Sequence, residues 1–231
     1  MEKEFIDKVN DEVKEIIKSR HEFIQRHYLS VRDAYQNLYD WPELDPLRHE
    51  ICLCLTFGLC QAAITLTNHF LESLLKYSLI VNHARKNDVN EKDIDGKVVS
   101  SLIEYHREGF ELYNNADLAT TINRSCSVGL ISKEQKKELH LYREKFRNAF
   151  SHSDKVKTFG DSEIQVTGVK LEDDKLVMDE ISQPQLAKFL VGQGLAQAYM
   201  AQNEAPKYFF YVDHSAREII NKLFDSKNSQ K

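Results

Sequence analysis

Arg147 and His152 bracket the segment Arg147-Asn148-Ala149-Phe150-Ser151-His152, and side chains of these two types can act together on a phosphodiester. Histidine, with an unperturbed pKa of about 6.5, takes or gives a proton near neutrality. Arginine stays charged and presents planar donors to phosphate oxygens. Asn148 adds a further donor and acceptor beside the arginine. Spacing alone carries little weight. The chain has ten arginines and nine histidines, so roughly one pair with four to six residues between its members is expected by chance. A second pair, Arg20 and His27, is present. Two helical turns apart, it continues the apolar register of its helix and reads as partners for buried acids or as residues of a dimer face. The plain alternative for the later pair is also physical: a histidine past the last turn meets exposed carbonyls and the negative helix end, and Arg147 flanks an apolar stripe.

The elements that must position these residues are mostly helical. Ile6, Val9, Val13, Ile16, Phe23, Val31, Ala34 and Leu38 recur at steps of three and four, predicting one long amphipathic helix from Phe5 to Leu38. Pro42 and Pro46 break it, with Asp45 as cap of the next helix. That second helix is expected to run to about Ala84 as the core of the domain. Further helices are predicted over residues 97–113, built on Val98, Leu102, Tyr105 and Leu112, and near 118–123. Ser132 and Gln135 form a capping-box pattern that opens a helix running to about Phe150, with Leu139, Tyr142, Phe146, Ala149 and Phe150 as its apolar stripe. The motif therefore falls at the end of a capped helix.

Residues 164–182 carry β-branched residues at strand spacing around Glu172-Asp173-Asp174 and read as a β-hairpin. Its acidic tip is a solvated turn, or shields the basic strip described below or contacts a partner. A helix from Pro184 to about Gln202 and another from Tyr208 to Phe224 complete a mainly all-α helical bundle, with the small hairpin inserted before the C-terminal helices.

Net charge is −5, which argues against a chain coated with positive charge for non-specific nucleic-acid binding. Between Ser132 and Lys157, however, eight Lys/Arg face four acids, an excess of four that surrounds the motif. Such a strip attracts a phosphate backbone. Cys52, Cys54, Cys60 and Cys126 read as free, buried thiols rather than disulfides or zinc ligands. The charged N-terminal segment has no apolar signal core, which points to a reducing, cytoplasmic setting. Residues 51–71 lack Asp, Glu, Lys and Arg, but interspersed Thr, Gln, Asn and His favour a buried helix over a membrane span. P-loop, dinucleotide-binding and zinc-protease motifs do not occur, and no cofactor or metal is expected.

The helical bundle carrying Arg147-Asn148 and His152 near the end of a late helix resembles the HEPN superfamily of prokaryotic toxin and antiviral nucleases, whose motif is Arg-x(4–6)-His. The resemblance spans roughly Asp45 to His152 plus the C-terminal helices. It implies one HEPN-like helical domain over residues 1–231, with the long helix of residues 1–40 and the hairpin of residues 162–182 as elaborations. It further implies a homodimer that brings two motifs together, and metal-independent cleavage of RNA. Arg147, His152 and Asn148 are then the expected catalytic set, with His152 as base or acid for attack by the ribose 2′-hydroxyl. Glu72 and Asn68, one turn apart on the central helix, are candidates to support it. Arg143, Lys145 and Lys155 are candidate RNA contacts. Expected partners are RNA, a second copy and possible antitoxin or other defence proteins, with no membrane. The alternatives are a non-catalytic HEPN-like module that binds RNA, a nucleotide or a protein, and a structural dimerisation protein.

Overall fold

The computed structural model describes residues 2–86, 98–146, 166–172, 175–181 and 190–224. Among them the helices are α1 (Glu2–Gln36), α2 (Asp45–Thr56), α3 (Cys60–Lys86), α4 (Val98–Tyr113), α5 (Leu118–Ser127), α6 (Lys133–Tyr142) and α7 (Leu190–Phe224). The protein is predominantly helical. Strands β1 (Val166–Glu172) and β2 (Lys175–Ile181) pair antiparallel, with Val166 opposite Ile181 and Glu172 opposite Lys175.

Helix α3 is the central element: it packs along α7, α4, α2 and α5. Its buried residues, from Ala63 through Phe70, Leu71, Leu74 and Leu75 to Ala84, lie on several sides of the helix, as befits one enclosed by neighbours. The core continues into α1 through Val31 and Ala34, into α6 through Leu139, and into α7 through Tyr208, Phe209, Val212 and Ile219. Gly109 of α4 lies against the backbone of Ile80, where an added Cβ would meet the carbonyl oxygen at 3.0 Å, so α3 and α4 pack at glycine distance.

The single helix expected from Asp45 to Ala84 is two. At its end, α2 adopts a Schellman motif: Leu59 N–H donates to Cys54 O at 2.8 Å and Gly58 N–H to Leu55 O at 3.2 Å, with Gly58 at φ +73°. Apolar content hid this break, because Phe57-Gly58-Leu59 looks no different from its flanks in a hydrophobicity count. Asp45 is not the N-cap. It lies inside the first turn, and its carboxylate reaches back to accept from the backbone N–H groups of Tyr39 (2.9 Å) and Trp41 (3.0 Å), holding the α1–α2 loop.

The two C-terminal helices expected up to Gln202 and from Tyr208 are one. Pro206 lies inside α7, although it cannot supply an N–H to the carbonyl of Gln202 and costs about 3 kcal/mol in a helix interior. Ala201, Ala205, Tyr208, Phe209 and Val212 are buried on either side of it, and that packing outweighs the local penalty. The expected start at Pro184 lies outside the described residues. In α4, Leu112 is exposed rather than part of the core. The first half of α1, amphipathic by its spacing, is exposed along its apolar stripe at Ile6, Val9, Val13 and Ile16.

Candidate functional site

The capping box that opens α6 is complete. Gln135 N–H donates to Ser132 Oγ at 3.1 Å, and Ser132 N–H donates to Gln135 Oε1 at 2.8 Å. Gln135 also donates from Nε2 to Glu218 on α7 at 2.6 Å, which fixes the start of the helix against its neighbour. From Arg143 to Phe146 the helix widens into a π-helical turn. Such turns form where packing demands a local change of register, and they recur at functional sites.

Phe146 is fully buried. Its ring lies 5.0 Å from that of Tyr208 and 5.8 Å from that of Tyr142, and Tyr142 stacks 4.7 Å from Tyr208. This aromatic cluster anchors the chain immediately before Arg147. Tyr208 in turn donates its hydroxyl proton to Asn68 Oδ1 at 2.8 Å. Burial pushes the Tyr208 phenol well up, so it stays protonated and remains a donor.

Arg147, Asn148, His152 and Lys155 lie outside the described residues, as do Ala149 and Phe150. The other candidates are placed. Asn68 is buried on α3, and its Nδ2 has no hydrogen-bond partner among the described residues. Glu72, one turn further on, is half-buried and pairs with Lys76 at 3.0 Å. Arg143 is partly buried; one of its terminal nitrogens donates to Glu144 at 3.3 Å, while its Nε is buried without a partner among the described residues. Lys145 donates to Glu204 of α7 at 2.6 Å and lies 5.2 Å from the centre of the Phe146 ring. The basic strip is therefore partly neutralised: Glu204 also accepts from Lys207 at 2.9 Å, and these two lysines hold its carboxyl below the usual range.

A second polar centre lies between α2 and α7. Arg48 on α2 is 1% exposed; its Nε donates to Asp213 Oδ1 of α7 at 2.5 Å and its Nη1 to the carbonyl of Asn37 at 2.6 Å. Tyr39 donates to the same carboxylate, and Arg217 donates to Asp213 Oδ2 at 3.3 Å. The Arg48 guanidinium lies over the Tyr39 ring at 4.2 Å. Burial and the adjacent carboxylate raise the Tyr39 phenol. The signal for this pair was legible: Arg48 interrupts the buried stripe of Leu44, Ile51, Cys52 and Leu55, and Asp213 interrupts that of Phe209, Val212, Ala216 and Ile219. Opposite charges on two buried stripes imply an ion pair between them. Its position between α2, α7 and the α1–α2 loop makes it a structural clamp.

The cysteines are free, with Cys52 and Cys60 buried and Cys54 and Cys126 half-buried. Burial pushes the Cys52 thiol up to about 12, which makes it an inert core residue. Among the described residues, no cluster of three or more His, Cys, Asp or Glu has the geometry to hold a metal ion, and no helix is long and apolar enough to cross a membrane. No family model matches the chain, nor does any curated protein or solved structure.

Proposed function

We propose that the chain is a metal-independent endoribonuclease of toxin or defence type, working through Arg147 and His152 as a HEPN-like domain. The observation that carries this reading is the end of α6. A π-helical turn closes on fully buried Phe146, so the residue immediately before Arg147 is fixed in the core beside Tyr208 and Asn68. A motif that must hold a phosphate within a few tenths of an ångström needs such an anchor.

In the reaction, one His152 accepts the proton of a ribose 2′-hydroxyl as that oxygen attacks the adjacent phosphorus. The bond from phosphorus to the 5′-oxygen breaks, and the His152 of a second copy protonates the departing oxygen. Products are a 2′,3′-cyclic phosphate and a 5′-hydroxyl. Arg147 holds the phosphate and balances the charge that develops on it. Asn148 orients His152 or contacts the RNA. Asn68 and Glu72 support the segment from α3, and Arg143, Lys145 and Lys155 add positive charge along the approach.

The ion pairs that occupy Arg143 and Lys145 favour, as a second reading, a HEPN-like module that binds RNA or a protein without cleaving. Substrate chemistry separates the two. Single-stranded RNA should be cut to cyclic-phosphate ends, whereas the same sequence as DNA or 2′-O-methyl RNA should be bound and left intact. Equal cutting of DNA would contradict attack by the 2′-hydroxyl.

A further inference from the structure

Every described side chain from Ile6 to Lys18 is exposed, including Ile6, Val9, Val13, Ile16 and Ile17 at 40–59%. Steps of three and four place Ile6, Val9, Val13 and Ile16 at alternating a and d positions of a heptad. The ion pairs Lys14–Asp11 (3.0 Å) and Lys18–Glu15 (3.9 Å) occupy b, c and f positions, on the opposite face. An isolated helix draws little stability from propensity alone, so a stripe of five large β-branched residues facing solvent calls for a covering partner.

The same heptad, carried forward, places Phe23, His27 and Ser30 at the next d, a and d positions. These three line one wall of an apolar cleft of about 180 Å³, with Leu55, Cys60 and Pro206 on other sides. One helix thus carries an exposed apolar ridge in its first half and an apolar cleft along its second.

We propose that α1 pairs antiparallel with α1 of a second copy of this chain, the ridge of each lying against the cleft side of the other. In that arrangement a positions oppose d positions and their residue numbers sum to a constant. A sum of 36 sets Ile6 against the partner's Ser30, Val9 against the partner's His27, and Val13 against the partner's Phe23. At the g positions Glu12 then opposes the partner's Arg26, and the reverse contact repeats it, giving two charge-complementary contacts. Ile17 meets its own copy beside the two-fold axis, which accounts for the fifth exposed apolar residue. No like charges oppose each other at the e or g positions of this register. Burial and the adjacent Arg26 hold His27 below its ordinary value, so the imidazole facing Val9 is neutral. Residues 2–20 carry six acids and five bases, a balance that disfavours nucleic acid or an anionic membrane as the covering partner. The ribonuclease reading also needs a second copy, but the α1 pairing stands on the residues of this helix alone.

Analytical ultracentrifugation of the full chain should show a dimer, and Val13→Glu with Ile16→Glu should yield a monomer with unchanged helix content. Arg20 falls at an inner a position opposite the partner's Ile16, so Arg20→Leu should tighten self-association by roughly tenfold or more. Under mild oxidation, Ile17→Cys should give disulfide-linked dimers beyond the wild-type background and Val9→Cys should not. A wild-type monomer at all concentrations would overturn the proposal. So would linkage by Val9→Cys without linkage by Ile17→Cys, which is the outcome of a parallel coil.

Discussion

Tyr208 of α7 donates a 2.8 Å hydrogen bond to Asn68 of α3 while its ring packs 5.0 Å from Phe146, the last described residue before the Arg147–His152 segment. Three elements distant in sequence therefore meet at one fully buried phenol. Asn68 brings a second polar atom to this point, Nδ2, which none of the described residues satisfies. Buried polar atoms are costly to leave unpaired, so an amide oriented by Tyr208 is suited to hold a neighbouring backbone or side-chain acceptor in place.

Replacing Tyr208 by Phe keeps the ring and removes the donor, leaving Asn68 Oδ1 buried and unmatched. The expected cost is about 1–3 kcal/mol, read as a lower midpoint in urea with an unchanged slope. RNA cleavage should fall through kcat rather than KM, because the change acts on the positioning of Arg147 and His152 and not on RNA contact. Unaltered stability together with unaltered kcat would remove Tyr208 from the account.

Glu204 gives a pH signature. Lys145 and Lys207 hold its carboxyl below the ordinary value of 4.5, so its contribution to stability is present above that value and is lost as pH falls through the lower, folded-state value. Glu204→Gln should flatten that part of the acid limb of a stability–pH profile. It should also release Lys145 to meet phosphate, tightening single-stranded RNA binding and steepening its salt dependence by somewhat less than about one charge. A variant with wild-type salt dependence would show that Lys145 makes no RNA contact.

The Arg48–Asp213 clamp should respond asymmetrically. Asp213→Ala leaves a guanidinium buried without its carboxylate and is expected to destabilise by about 3–5 kcal/mol. The double variant Arg48→Met with Asp213→Leu removes both charges and should recover a substantial part of that loss. Measuring both variants in a denaturant series with the two singles gives the coupling directly. Additive losses would mean that the two side chains act independently.

Gly58 tests the break between α2 and α3. At φ +73° a side chain is strained, and a Cβ there would lie 2.8 Å from the Phe23 ring. Gly58→Ala should cost more than the ~1 kcal/mol typical of a left-handed position alone, and a calorimetric midpoint below wild type by several degrees would register it. Stability equal to or above wild type would show that the chain prefers the continuous helix.

These responses also mark what the sequence discloses. Helical class and the capping box at Ser132–Gln135 follow from periodicity and local hydrogen bonding, which nearby residues control. The break at Gly58 is hidden in the sequence because it depends on the conformation of one glycine inside an apolar run. The continuity of α7 through Pro206 is hidden in the sequence because burial against α3 overrides a local penalty. The exposure of the first half of α1 was hidden because an amphipathic stripe does not state what it faces. At the candidate site, Asn68 and Glu72 stand out by their place one turn apart, but Tyr208, which contacts both Asn68 and Phe146, lies 140 residues from Asn68 and carries no local sign. Charge alone marks Lys145 and Arg143 as candidate RNA contacts, and only the tertiary packing brings Glu204 to Lys145.

The most direct measurement is cleavage of single-stranded RNA in EDTA by the wild-type protein and by His152→Ala, with Arg147→Ala alongside. The ribonuclease reading predicts cutting by the wild type, with cyclic-phosphate ends, and a loss of at least about a hundredfold in each variant. Cleavage that persists in both variants, or a wild-type protein that binds RNA and never cuts it, would contradict it.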